Sequence, residues 1–113
     1  MQARLAYAIK FVADMDRALA FYRDGFGLKL RFASPEWSEF ENGDVTLALH
    51  LSDKEKAGQV QLGFSAPELK ALYADADKAG LTFTSPPEDL HGVLLARMLD
   101  CEGAEVSLQA PTR

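Results

Sequence analysis

Two histidines, an arginine in an apolar run and a single cysteine carry most of the chemistry open to this sequence. His50 ends a segment, Val45–Leu51, in which Val45, Leu47, Leu49 and Leu51 face one way and Thr46, Ala48 and His50 the other. There it could serve as a general base, a metal ligand, a hydrogen-bonding group toward a ligand, or an ordinary polar residue near a strand end. His91 lies in a proline-rich loop and is read as a solvated residue. Arg97 is a lone charge inside Val93–Leu99, and such a charge needs a partner. A ligand carboxylate or phosphate would supply one. The preferred reading is an internal pair with Glu39, Glu41 or Glu105 across strands. Tyr7, Ile9 and Phe11 alternate along one strand face and would make an apolar wall for a planar ligand. Trp37 is either core or a stacking surface. Cys101 lies in a turn and is not read as a nucleophile. No glycine-rich phosphate loop, Ser–His–Asp order or basic aromatic stripe is present.

These side chains must be held by strands and by two helices. Leu5–Val12 reads as a strand, and Asp14 or Asp16 caps a helix over Met15–Phe26 that ends at Gly25 and Gly27. Phe21 and Tyr22 are expected in the core on their helical spacing, as are Leu69, Leu72 and Tyr73 on the second helix. Lys10 would face the helix side, where either its stem runs outward or a local bulge puts it elsewhere. Leu28–Ala33, Trp37–Glu41 and Val45–Leu51 read as strands, with a hairpin turn at Asn42–Asp44. The charged stretch Ser52–Gly58 connects to a second set: strand Val60–Phe64, helix Pro67–Ala79 ended by Gly80, and strand Leu81–Thr84. Ser85–Asp89 is expected to be a loop, followed by strands Gly92–Leu99 and Ala104–Gln109.

The second set repeats the first. Shifted by 53 residues, Tyr7–Leu30 lies on Val60–Phe83 without a gap, matching Phe11 to Phe64, Ala13 to Ala66, Ala18 to Ala71, Leu19 to Leu72 and Gly27 to Gly80. Each half reads βαβββ, about 4–51 and 59–110. Neither half has the apolar area to stand alone, so one domain over 1–113 with a shared sheet is expected.

Composition narrows the function further. Hydrophobic residues are 48% and charged residues 26%, which is globular. Twelve Lys and Arg against seventeen Asp and Glu leave a net charge of −5, which argues against nucleic acid and against an anionic membrane surface. No apolar run approaches the roughly 20 residues of a membrane span, and no secretory signal is seen. One cysteine allows no internal disulfide. A cytoplasmic protein is expected.

The stretch Val12–Tyr22 (VADMDRALAFY), followed by Gly25-Phe26-Gly27-Leu28, resembles the signature of the vicinal oxygen chelate superfamily, the glyoxalase, bleomycin-resistance and extradiol dioxygenase group. Leu99-Asp100-Cys101-Glu102-Gly103 stands where that group usually carries D-P-D-G, with Cys101 for the proline and Glu102 for the second aspartate. The resemblance implies an α+β fold: two βαβββ modules forming a curved mixed sheet, a cup with its helices on the convex face. It also implies a frequent homodimer. The fold hosts unrelated chemistries, so no activity follows from it alone.

Metal-dependent members hold a divalent cation through His, Glu or Gln side chains on the concave face. By the resemblance, Tyr7, Ala48, Gln61 (or, with a one-residue slip, Val60) and Ser107 occupy those places here. Gln61 alone is an acceptable ligand, and a neutral amide cannot hold a catalytic cation by itself. No metal site and no cofactor are therefore expected. The function expected is a metal-free small-molecule binding protein that sequesters a planar or aromatic ligand in a dimer cleft. Tyr7, Ile9, Trp37, Ala48, His50, Gln61, Arg97 and Ser107 are its candidate contacts. The alternative is a metal-dependent glyoxalase-like lyase, isomerase or dioxygenase with a relocated site using His50 and Gln61 plus Glu39 or Glu105. Whether the protein is an enzyme stays open at this point. A third reading is an interaction module whose apolar face is filled by its own side chains.

Overall fold

The computed structural model describes residues 2–111. The chain divides into two compact units, one of Ala6–Gln61 and the other of residues 62–111 with 2–5. In the first, β1 (Arg4–Val12) leads into α1 (Met15–Leu19), a π-helical turn (Ala20–Gly25), β2 (Lys29–Phe32), β3 (Trp37–Glu41) and β4 (Thr46–Leu51). Its strands lie in the order β2-β3-β4-β1, with β1 and β4 parallel and the other pairs antiparallel. In the second, β5 (Val60–Ser65) is followed by α2 (Leu69–Ala74), α3 (Ala76–Ala79), β6 (Phe83–Leu90), β7 (Val93–Leu99) and β8 (Glu105–Pro111). Its order is β5-β8-β7-β6, and β5 runs parallel to β8. Each unit is thus a βαβββ module with a mixed sheet, and the eight-strand α+β class is the one expected.

The helices cover one face of each sheet. In the first unit Met15 packs with Phe40 and Leu49, and Val12, Leu19 and Tyr22 close around them. In the second, Leu69 packs with Ala66, Leu94, Ala96 and Leu108, flanked by Phe64 and Leu72. Asp14 caps α1, its carboxylate accepting from the Arg17 N–H at 3.0 Å. This satisfies one of the orphan donors of the first turn, worth about 1 kcal/mol. Gly27 and Gly80 end the helical segments at φ 73° and 70°, a region that favours glycine.

Several expectations are corrected. The first helix widens after Leu19, where the Phe26 N–H reaches back to the Phe21 carbonyl at 3.1 Å. The extra residue in that turn breaks the 3.6 period. Phe21 is therefore 54% exposed and stacks on Phe26 at the surface, while Tyr22 stays against Phe40. The second helix starts at Leu69 and breaks at Asp75, and Tyr73 is exposed with its ring edge on Phe83.

Ser85–Asp89 belongs to β6 and is not a loop. The register with β7 skips between Ser85 and Glu88, leaving Pro86 and Pro87 outside the ladder on an end strand, where a missing N–H costs least. His91 sits in a two-residue hairpin with Gly92, both at positive φ (55° and 86°), as the twist of a tight hairpin requires.

The internal repeat is also out of phase in its strands. Phe11 faces away from its helix, whereas Phe64 faces toward its own. Tyr7, Ile9 and Phe11 correspond in facing to Gln61, Gly63 and Ser65, a shift of even length. A one-residue slip reverses every side chain of a strand.

Candidate functional site

The helix-free face of the first unit gathers the aromatic residues. Alternation places Tyr7, Ile9 and Phe11 of β1, Ala48 and His50 of β4, and Trp37 and Glu39 of β3 on this side. Strand register then orders them in rows. Phe11 lies beside His50 and His50 beside Trp37; Ile9 lies beside Ala48 and Ala48 beside Glu39. Ile9, Phe11 and Ala48 are buried and form the floor, Ala48 with no exposed surface at all. Tyr7 and Trp37 are half-buried and His50 is exposed. The rings touch: Tyr7 to Trp37 at 6.4 Å, Trp37 to His50 edge-on at 5.6 Å, and Phe11 to His50 at 5.3 Å between centroids.

Two polar arrangements orient this surface. Glu39 accepts from Arg31 Nη2 at 2.9 Å and Nε at 3.3 Å, and its other oxygen accepts from the Trp37 indole N–H at 2.8 Å. Arg31 also donates to Thr46 Oγ1 at 2.6 Å. The indole is thereby locked in one orientation, and the carboxylate is neutralised by its neighbours. His50 Nδ1 lies 2.8 Å from the Leu51 carbonyl. A carbonyl only accepts, so Nδ1 carries the hydrogen, and in the neutral ring Nε2 is an acceptor. Lys56, from the segment after β4, holds its ammonium 4.3 Å above the Phe11 ring.

In the second unit, Arg97 on β7 lies opposite Ser107 on β8, and Ser107 opposite Gly63 on β5. These side chains occupy the face away from the helices, as does Gln61, and not Val60. Arg97 pairs with Glu105 at 3.6 Å, one of the three internal partners considered on sequence grounds, while Glu39 and Glu41 pair elsewhere, and Glu105 also accepts from Thr84 at 2.7 Å. The structure therefore brings Tyr7, Ile9, Trp37, Ala48 and His50 together on one surface, with Arg97 and Ser107 adjacent on another. Lys10 runs its stem to the Gly58 carbonyl at 2.7 Å, beside a hollow of about 280 Å³ on the helix side that Val12, Arg17, Phe21 and Tyr22 also line.

Arg31, Thr46 and Lys56 were not singled out from the sequence as site residues. Arg31 was legible in principle as a strand charge alternating toward the face of Glu39. Lys56 was one of several charges in Ser52–Gly58 and carried no signal of its own.

The four residues that the sequence resemblance set at metal positions, Tyr7, Ala48, Gln61 and Ser107, carry a phenol, a methyl, an amide and a hydroxyl. None is anionic. The nearest carboxylate to Ala48 in register, Glu39, is committed to Arg31 and Trp37. Among the described residues no group of three or more His, Cys, Asp or Glu side chains stands close enough to hold a metal ion. This donor set does not fit a resident divalent cation.

A family model described as Glyoxalase/Bleomycin resistance protein/Dioxygenase superfamily matches residues 4–104. Comparison with curated proteins found no match. Among solved structures, a glyoxalase/bleomycin resistance protein/dioxygenase superfamily member from Vibrio splendidus 12B01 is similar at 14% identity and TM-score 0.76, covering 96% of this chain and 99% of that one. Methylmalonyl-CoA epimerase from Mycobacterium tuberculosis is similar at 17% identity and TM-score 0.77, covering 96% and 88%. A Streptomyces coelicolor methylmalonyl-CoA epimerase in complex with 2-nitronate-propionyl-CoA is similar at 15% identity and TM-score 0.75, covering 97% and 98%. At these identities the likeness is one of fold.

Proposed function

The chain belongs to the glyoxalase/bleomycin resistance protein/dioxygenase superfamily, and we propose that within it this protein binds a planar or aromatic small molecule without a metal ion. One observation carries the reading: Tyr7, Trp37 and His50 form a contiguous aromatic surface over the floor of Ile9, Phe11 and Ala48, on the helix-free face. A flat apolar ligand gains stacking area there, and the Glu39 bond holds the indole ready for it, which lowers the ordering cost of binding. Gln61, Arg97 and Ser107 are proposed contacts on their facing alone, and Arg97 is already partly offset by Glu105.

A homodimer and a cytoplasmic location belong to the same proposal. Leu90, Val93 and Leu95 are exposed apolar residues of the kind a second copy covers. No helix of the described residues is long and apolar enough to cross a membrane. Sedimentation reads the oligomeric state.

Trp37 is the single tryptophan, so its emission reports directly on the face. Saturable quenching by planar aromatic compounds, lost in Trp37→Leu by calorimetry, is the expected result. Metal analysis after dialysis against Ni²⁺, Zn²⁺, Mn²⁺ or Fe²⁺ tests the alternative, a metal-dependent lyase, isomerase or dioxygenase. One retained ion per chain, abolished by His50→Ala or Gln61→Ala, would overturn the metal-free reading.

A further inference from the structure

The charges around the aromatic face are unevenly settled. On β3, Glu39 is paired with Arg31 at 2.9 Å and Glu41 with Lys29 at 3.3 Å, so each carboxylate there already has a cation from β2. At the opposite side, over β1, stands the Lys56 ammonium, which has no ion pair among the described residues. Its position is built by the backbone. The Gly58 N–H donates to the Phe11 carbonyl at 2.8 Å, and the Phe11 N–H to the Gln59 carbonyl at 3.0 Å, which ties the segment to β1. The Lys56 N–H donates to Asp53 Oδ1 at 2.9 Å and the Gln59 N–H to the Lys56 carbonyl at 3.1 Å, which closes the turn around Lys56 itself. Below it, the Phe11 ring is shared with His50.

An ammonium over a ring uses that ring for part of its stabilisation and keeps N–H donors for another partner. In a chain of net charge −5 this cation is not part of a generally basic surface. A bound cation would meet no open carboxylate on β3 and would be repelled by Lys56. An anionic substituent, held with its ring on Trp37 and Tyr7, would find Lys56 at the Phe11 end.

We propose that the ligand of this face is a planar aromatic anion, and that Lys56 selects it by its charge. The inference rests on the reading of the face as a ligand site. The selecting group is exposed, so the expected gain is about 1.5- to fivefold in affinity and not orders of magnitude.

The test compares isosteric pairs by titration calorimetry: benzoate against benzamide, and 2-naphthoate against 2-naphthamide. The wild type is expected to bind each carboxylate about 1.5- to fivefold tighter than its amide. The preference should shrink between about 0.01 M and about 1 M salt, as the screening length falls from about 30 Å to about 3 Å. Lys56→Gln should abolish the preference of acid over amide, and Lys56→Arg should retain it. Circular dichroism checks that each variant is folded. Equal binding of acid and amide by the wild type, or a preference that survives Lys56→Gln, overturns the selection by Lys56 and leaves the aromatic ligand site standing. Binding of neither member of either pair overturns both.

Discussion

Replacing Ala48 by glutamate puts a carboxylate where the sequence resemblance implies one in metal-dependent members, and the structure predicts a weaker protein and no metal site. Ala48 has no exposed surface. Its methyl lies among Ile9, Phe11 and Trp37. A longer side chain must displace that floor, and overfilling a packed site costs about 1–3 kcal/mol. The new carboxylate also stands opposite Glu39. Like charges facing each other across paired strands add about 0.2–1 kcal/mol. The total, about 1–4 kcal/mol, is a large part of an ordinary domain's stability of about 5–15 kcal/mol. With a urea slope of about 2 kcal/mol per molar, the unfolding midpoint falls by roughly 0.5–2 M.

Ala48→Gln has nearly the same volume without the charge, so the difference between the two variants isolates electrostatics. Burial and Glu39 both raise the folded-state pKa of the introduced carboxyl above its unfolded value. The charge penalty is therefore complete above the folded pKa and is lost as pH falls below the unfolded one, where the two variants converge. An Ala48→Glu midpoint at neutral pH within about 0.2 M of wild type would show room for a carboxylate at this place. It would refute the description of Ile9, Phe11 and Ala48 as a filled floor.

Phe40→Ala should cost about 3–5 kcal/mol, because Phe40 is fully buried, whereas Phe21→Ala at 54% exposure should cost well under half of that; urea titrations separate them. Gly80→Ala should cost about 1–2 kcal/mol from its φ of 70° alone, since an added Cβ meets nothing within 4 Å, and the loss should appear as a lower midpoint at an unchanged slope. Glu39→Ala should free the indole, shifting Trp37 emission to the red and costing about 1–2 kcal/mol, while an unchanged spectrum would mean that packing and not Glu39 orients the ring.

The fold was legible because periodicity and punctuation agreed. Alternation in Val45–Leu51 separated Leu47, Leu49 and Leu51 from Ala48 and His50 as the structure does. Gly27 and Gly80 marked helix ends that need positive φ. Failures came where a local rule was overridden. Helical spacing put Phe21 in the core, but a single widened turn rotated it to the surface. Consecutive prolines read as a loop, yet an end strand tolerates them where the ladder is interrupted. Sequence identity between the halves matched Phe11 to Phe64 and hid their opposite facing, because identity does not measure strand phase. At the site, the aromatic residues followed from alternation. The partners that orient them, Arg31 and Lys56, depended on cross-strand register and on a turn, which spacing along the chain does not reveal.

The skipped register at Pro86 and Pro87 has a consequence beyond their own strand. β6 ends the sheet order, so its outer side is open to any passing extended chain. Such a chain would need an unbroken row of N–H donors to lay itself down as a further strand. Two successive residues without that hydrogen, at a place where the backbone already bends out of step, interrupt the row near its middle. The strand closes the hydrogen-bond ladder on one side and offers a poorer template on the other. Replacing both prolines with valine is expected to restore the missing donors and make this edge more prone to pair with another chain, read as aggregation at high protein concentration.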